Sequence, residues 1–256
     1  MLNNPHLTKI TIPVHVLCLA AIATMFIQHD WIWLWAAFIG WVLIGGYGIA
    51  IGFHRILSHR AMPVSELTKR VLTVLGTIAG QGSSIFWVAL HRGYHHPKAD
   101  TEKDYHSPVH GKWNAYMGWI NKLKPTDVNL KHSVDLLRDP FHVKLHEHYN
   151  KIFWAVLIVV AIINWKLALY GLVIPITLAQ HQENIVNVFG HTPVIGYRNF
   201  DSADRTINNP ILAILCWGQG WHNNHHHAPA SFDFGTSVSG KWWEFDICRL
   251  LKVVLK

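Results

Sequence analysis

HRILSHRAMPVSELTKRVLTVLGTIAGQGSSIFWVALHRGYHH, residues 54–96, decides the fold. It opens on His54 and His59 and closes on His91, His95 and His96. Between them residues 66–90 are apolar but interrupted by Gly76, Gly80, Gln81, Gly82, Ser83 and Ser84. A bilayer crossing takes roughly 20 mainly apolar helical residues, so this run is long enough to span. If it did, the histidines before and after it would face opposite sides of the membrane and share no site. The stretch therefore reads as an interfacial or re-entrant helix, with both histidine groups on one side.

Working outward, residues 12–28 and 31–53 are apolar segments separated by the turn at His29-Asp30, and 149–163 and 167–186 flank Asn164-Trp165-Lys166. Each pair reads as a transmembrane hairpin. No small-residue cleavage site separates the first two runs, which argues against a signal peptide. With four spans, all of the 22 Lys and Arg except Lys166 fall on one side, the bias expected of cytoplasmic loops. The expected architecture is an all-α integral membrane protein, one domain over 1–256. Two hairpins (about 12–53 and 149–186) carry a cytoplasmic helical cap (54–148 and 187–256), with both termini cytoplasmic. The closing WWEFDICRLLKVVLK is expected to form an amphipathic helix, on the membrane or on the cap.

Composition agrees. Half of the 256 residues are hydrophobic and 13 are tryptophan, a residue that favours the membrane interface. Cys18, Cys216 and Cys248 are too dispersed for a disulfide framework or a thiolate metal site, which points to a reducing compartment. The net charge of +7 suits positive-inside loops, an anionic membrane surface, an acidic partner or a phosphate-bearing substrate. No nucleic-acid motif or internal repeat is present. The unusual feature is 20 histidines against 15 acidic residues.

Those histidines cluster as HRILSH (His54, His59), HRGYHH (His91, His95, His96), NVFGH (Asn187, His191) and HNNHHH (His222, His225, His226, with His227 in reserve). His91/His95, Asn187/His191 and His222/His226 are i, i+4 pairs, so each pair can face one ion on a helix. Adjacent histidines diverge by about 100° on a helix of 3.6 residues per turn, so His95-His96 and His225-His226 suit two ions rather than one. Imidazole alone admits iron, zinc, copper or nickel. The inward Glu and Glu-x-x-His pairs of a soluble diiron bundle are absent. Asp100, Asp104 and Glu183 are candidates to offset the positive charge by hydrogen bonds to ligand N–H groups. The remaining histidines, His106 among them, read as loop or interface residues.

HRILSH, HRGYHH and HNNHH resemble the three histidine boxes of the membrane fatty acid desaturases, close to the acyl-CoA Δ9 (stearoyl-CoA desaturase-like) branch and of bacterial type. NVFGH, Trp87 ahead of the second box, KADTEKDYHSP and GQGWHNNHH extend the likeness over about residues 30–230. The resemblance implies a nonhaem diiron centre, dioxygen as oxidant, and two electrons from an external carrier such as ferredoxin, rubredoxin or a cytochrome-b-type protein. It assigns His54, His59, His91, His96 and His225 to one iron. His95, His191, His222 and His226 go to the other, which Asn187 reaches through water. Two departures stand out: three residues rather than two separate His91 from the histidine pair, and Gln219 stands where the family commonly has Glu.

The chemistry expected is removal of two hydrogens from a long-chain acyl substrate held in a narrow apolar tunnel. Phe86, Trp87, Trp217 and Trp221 are candidates to line it, with ordinary core packing the favoured role for any one of them, and the floor is expected to involve the first hairpin, where Gly45, Gly46 and Gly48 allow close approach. Arg60, Arg92 and Arg198 are candidate contacts for coenzyme A phosphates at the mouth, with salt bridging or lipid-headgroup contact the favoured role for each singly, and membrane lipids surround the spans. The rival readings are a diiron lipid hydroxylase and a histidine-rich metal-handling membrane protein. The latter should place its ligands within the spans along a pathway rather than at their ends.

Overall fold

The computed structural model describes residues 5–255, and the chain's first four residues and Lys256 lie outside them. The described residues are helical and contain no strand, only isolated bridges pairing Asn208 with Tyr197 and with Trp221. Two helices are long and apolar enough to cross a bilayer, α1 (Thr8–Gln28) and α2 (Trp31–Ser58). The chain reverses at His29, which takes the left-handed conformation with φ 53°. Val16, Leu19, Phe26 and Ile27 of α1 are exposed, while Val14, Cys18 and Ala21 face inward.

From Val42 to Ser58, α2 is wound as a π-helix, closed at its end by the bond from His59 N to His54 O. Residues 66–90 form two helices rather than one: α3 (Glu66–Ile78) and α4 (Ser84–Leu90). Left-handed Gly80 and Gly82 break the run, and Ser83 caps α4 by accepting from Phe86 N. A π turn, His91–His95, continues from α4. After short turns come α5 (Pro140–Glu147), α6 (Tyr149–Ile163) and α7, in which Trp165–Ala168, Leu169–Val173 and Ile174–Phe189 run on end to end. The tips of the two hairpins are tied: Lys166 Nζ and Tyr170 OH donate to Asp30 at 2.7 and 3.0 Å. The cap ends in α8 (Pro210–Leu215) and α9 (His222–His227).

The main core gathers Val14, Ile44, Ile49, Phe53, Ile85, Val88, Phe153 and Ile176 from five helices, and sits directly below the histidines. The glycines of α2 give the close approach expected of them. A Cβ on Gly48 would lie 2.7 Å from Gly76 N and from Leu75 C, so its absence lets α2 and α3 touch backbone to backbone. A Cβ on Gly46 would meet Leu251 and Trp217 instead.

The C-terminal segment also differs from expectation. Residues 242–247 are irregular, and only Cys248–Leu251 and Lys252–Leu255 are helical. The reason is Asp246, whose carboxylate accepts from Phe234 N, Cys248 N and the wholly buried Arg55. Arg55 donates also to Phe232 O and Ala50 O and lies over the Phe234 ring, 3.9 Å from its centroid. This buried pair clamps the end of the chain beneath the His54 region and overrides the amphipathic pattern.

Candidate metal centre

Nine histidines from four places in the chain converge in two groups, within each of which the nitrogens lie within 4.8 Å of one another. One group is His54, His59, His91, His96 and His225, and the other is His95, His191, His222 and His226. In the first, Nε2 of His225 is 2.9 Å from that of His54 and 2.8 Å from that of His96, and the Nε2 atoms of His59 and His91 are 2.8 Å apart. In the second, the Nε2 atoms of His191 and His222 are 2.9 Å apart and those of His95 and His226 are 3.3 Å apart.

Local helix type explains the grouping. A π turn bonds i to i+5, so residues five apart share a face. His54 and His59 leave the π-wound α2 together, and His91 and His96 leave the second π turn together. His91 and His95 fall in different groups, contrary to the i, i+4 expectation, because that expectation assumed α-helical winding. In the α-helical α9, His222 and His226 share a group as i, i+4 neighbours do. Adjacent rings divide as expected of neighbours, His95 from His96 and His225 from His226.

The donor set fits a cation in each group. Nδ1 of His95, His191 and His226 donates to Asp104, Asp100 and Asp204 at 3.1, 3.1 and 3.0 Å. A neutral ring with its proton on Nδ1 has a bare lone pair on Nε2. With those tautomers His95 and His226 present two lone pairs to each other at 3.3 Å, an arrangement that suits a positive centre between them. Burial, and then the surrounding rings, push His91, His96, His222, His225 and His226 well below their ordinary values, so these rings are neutral donors. Carboxylate–histidine pairs of this kind fix ring orientation and raise ligand basicity.

Asp100 and Asp104 thus stand where the sequence suggests. Asp204 supports His226 without having been singled out; its signal was only a polar loop residue 22 positions from its ring. His106 was also missed. It is buried, sits 3.3 Å from Asp104 and forms a third grouping with Asp104 and His95. Burial of Asp104 would raise its carboxyl, but His106 and His95 outweigh that and hold it below the usual range. Glu183 does not touch a ligand ring; it accepts from Gln182 and Gln219. His227 is exposed and stacks on Phe200, centroids 3.8 Å apart, outside both groups. Asn187 lies on α7 one turn before His191 and borders the adjoining cavity.

That cavity, about 560 Å³, is bordered by His54, His91, His95 and His222 at the histidine groups and by exposed Lys9, Glu147, Asn150 and Lys151 elsewhere. Its volume is in the range of small-molecule sites. Phe86 and Trp87 line it, as do Trp119, Ile120 and Leu123; Trp217 and Trp221 do not, being packed against α2 and Phe234. The three candidate arginines are engaged within the protein, Arg60 and Arg92 in the salt bridging favoured for them. Arg92 binds Asp135 and the Ser58 and Leu57 carbonyls, Arg60 binds Asp135, and Arg198 binds the carbonyls of Ser202 and Asp204.

Comparison with known proteins follows the same lines. Residues 30–234 match the family model described as fatty acid desaturase. The chain is 32% identical to an sn-1 stearoyl-lipid 9-desaturase of Anabaena variabilis, over 86% of this chain and 79% of that one. It is 32% identical to an sn-2 palmitoyl-lipid 9-desaturase of Nostoc sp. (strain 36), over 99% and 91%. An acyl-CoA C20 Delta5-desaturase of Anemone leveillei is 28% identical over 91% and 72%.

Proposed function

The chain belongs to the fatty acid desaturase family, and on that premise we propose that it places a double bond, of the Δ9 type, in a long-chain acyl group at a diiron centre. The observation that carries this reading is that the two histidine groups open, through His54, His91, His95 and His222, onto a cavity lined also by Phe86, Trp87, Ile120 and Leu123. His54, His59, His91, His96 and His225 would hold one iron; His95, His191, His222 and His226 would hold the other, with Asn187 nearby. Bound there, iron supplies with dioxygen the oxidising power to take hydrogen from an unactivated methylene pair, which no side chain can do. The protein's own work is to orient and exclude. Phe86, Trp87, Ile120 and Leu123 hold the chain in register and keep water away, while Asp100, Asp104 and Asp204 fix the rings.

The carrier we favour is a membrane glycerolipid. The cavity reaches the surface between the start of α1 and the start of α6, where an acyl chain can enter from the bilayer, and two of the relatives are named for lipid-linked substrates. A coenzyme A thioester is the second reading, supported by Lys9 and Lys151 at that opening and by the acyl-CoA relative. In this reading the chain is one domain over 1–256 with four spans. α6 and α7 form the second hairpin, the cap and both termini are cytoplasmic, and a separate electron carrier docks on the cap. Exposed Ile162 and Ile163 at the tip of α6 support the second hairpin's contact with lipid.

The test is gas chromatography–mass spectrometry of fatty acids, sorted by lipid and thioester pool, from cells expressing wild type or His95→Ala. A product two hydrogens lighter, made only by wild type, supports the reading, and the pool it appears in first names the carrier. A product one oxygen heavier would replace it with the hydroxylase.

A further inference from the structure

Glu183 is a half-buried carboxylate in the cavity wall that no histidine among the described residues uses. Asp100, Asp104 and Asp204 are each committed to a ring nitrogen, and Glu147, which also borders the cavity, is exposed. Glu183 sits on α7 and is held by a directed chain of donors. Trp41 Nε1 donates to Gln182 Oε1 at 3.2 Å, and Gln182 Nε2 donates to Glu183 Oε1 at 3.0 Å. Gln219 Nε2, three residues before His222, donates to the same Oε1 at 2.6 Å. One oxygen thus takes both amide bonds, and Oε2 receives none from the described residues. Gln180, Glu183, Asn184 and Asn187 recur at the i, i+3, i+4, i+7 spacing of one helix face, and all four border the cavity. They draw a polar stripe along the α7 side of the cavity, apart from the apolar side chains of Phe86, Trp87, Ile120 and Leu123.

A desaturase needs such a group. Taking two hydrogens from a methylene pair with dioxygen, two electrons from the external carrier and two protons gives an alkene and two waters. The two protons must come from outside the substrate. The imidazoles of His95, His191 and His226 are not free to give them, because each has its Nδ1 proton held by a carboxylate. We propose that Glu183, through Oε2, delivers these protons to reduced dioxygen and is recharged by water along the Gln180–Asn187 stripe. Gln182 and Gln219 are positioning residues that fix its other oxygen. The pair Glu183–Gln219 also accounts for the amide in GQGWH: the carboxylate commonly found at that point of the box is here supplied by α7, across a 2.6 Å hydrogen bond.

The inference rests on the desaturase reading, and wild-type product formation checks that reading separately. The experiment compares iron-loaded wild type, E183Q and the exchanged double variant E183Q/Q219E in vesicles with a supplied reductant. It reads product, hydrogen peroxide released, bound iron, and the carboxyl C=O infrared band. E183Q should keep its iron and lose the carboxyl band. It should also form product roughly 100-fold more slowly, the loss typical of a missing general acid, and release hydrogen peroxide in its place. The double variant should regain the band and much of the coupled turnover. Wild-type turnover in E183Q, loss of product only in proportion to lost iron, or an exchanged variant no better than E183Q would each overturn the assignment.

Discussion

Nε2 of His95 stands 3.3 Å from Nε2 of His226, and each ring has spent its other nitrogen on a carboxylate, Asp104 for the first and Asp204 for the second. The site is arranged around charges it does not itself contain. Asp204 also accepts from Ser202 and Thr206, so its orientation is fixed before any metal arrives. Asp204→Asn should therefore weaken metal retention by about 10–100-fold, the usual cost of losing such a partner. Iron held against a competing chelator measures it; retention equal to wild type would remove Asp204 from the site.

Arg55 and Asp246 are both wholly buried, 2.8 Å apart, with the remaining guanidinium donors satisfied by Phe232 O and Ala50 O. Breaking a buried pair leaves an uncompensated charge, at a cost of about 3–5 kcal/mol. Asp246→Ala should accordingly lower the melting temperature strongly and release the C-terminal segment to protease. Arg55→Met combined with Asp246→Leu should recover much of the loss, because neither charge then remains. A double variant as unstable as the single one would show that backbone contacts of Asp246 dominate.

Asp135 receives hydrogen bonds from both Arg92 and Arg60, and so ties the second box to the loop after the first. Burial alone would raise its carboxyl, but the two arginines outweigh burial and bring it to about 2. A depressed carboxyl stabilises the fold above its unfolded value of about 4 and loses that contribution as pH falls towards the folded value. The pair is partly solvated, so the contribution is about 1 kcal/mol at most. In metal-free protein, Asp135→Asn should melt lower than wild type at pH 7, and the gap should close between about pH 4 and pH 2. A gap that persists to the acid end would trace the loss to something other than the charge.

What the sequence made legible was whatever depended on period and sidedness. Apolar length marked α1 and α2, and the requirement that His54 and His91 meet kept 66–90 from being read as a span. Two features were beyond its reach. Winding type was one: nothing in HRGYH announces a π turn, so helical spacing alone pairs His91 with His95, and only the resemblance places His91 with His96. Long-range ionic contacts were the other. Asp204 and Asp246 are ordinary polar residues until the fold sets them against His226 and Arg55. The glycines of α2 are ambiguous for a related reason, since a close approach of backbones and an opening for substrate leave the same residue behind.

That last distinction is testable at Gly48 and Leu123. A side chain at Gly48 would strike the backbone of Leu75 and Gly76, which cannot yield without parting α2 from α3. Gly48→Leu should therefore lower the amount of folded protein while leaving the product spectrum of what remains unchanged. Leu123 is buried and borders the cavity, so Leu123→Trp takes up space that the acyl chain needs. It should fold and shift the products towards shorter chains, because a filled pocket excludes the longest occupant first. Chain-length profiles of both variants, normalised to folded protein, separate the two roles. A shifted profile from Gly48→Leu, or an unshifted one from Leu123→Trp, would move the substrate out of this cavity and towards α2.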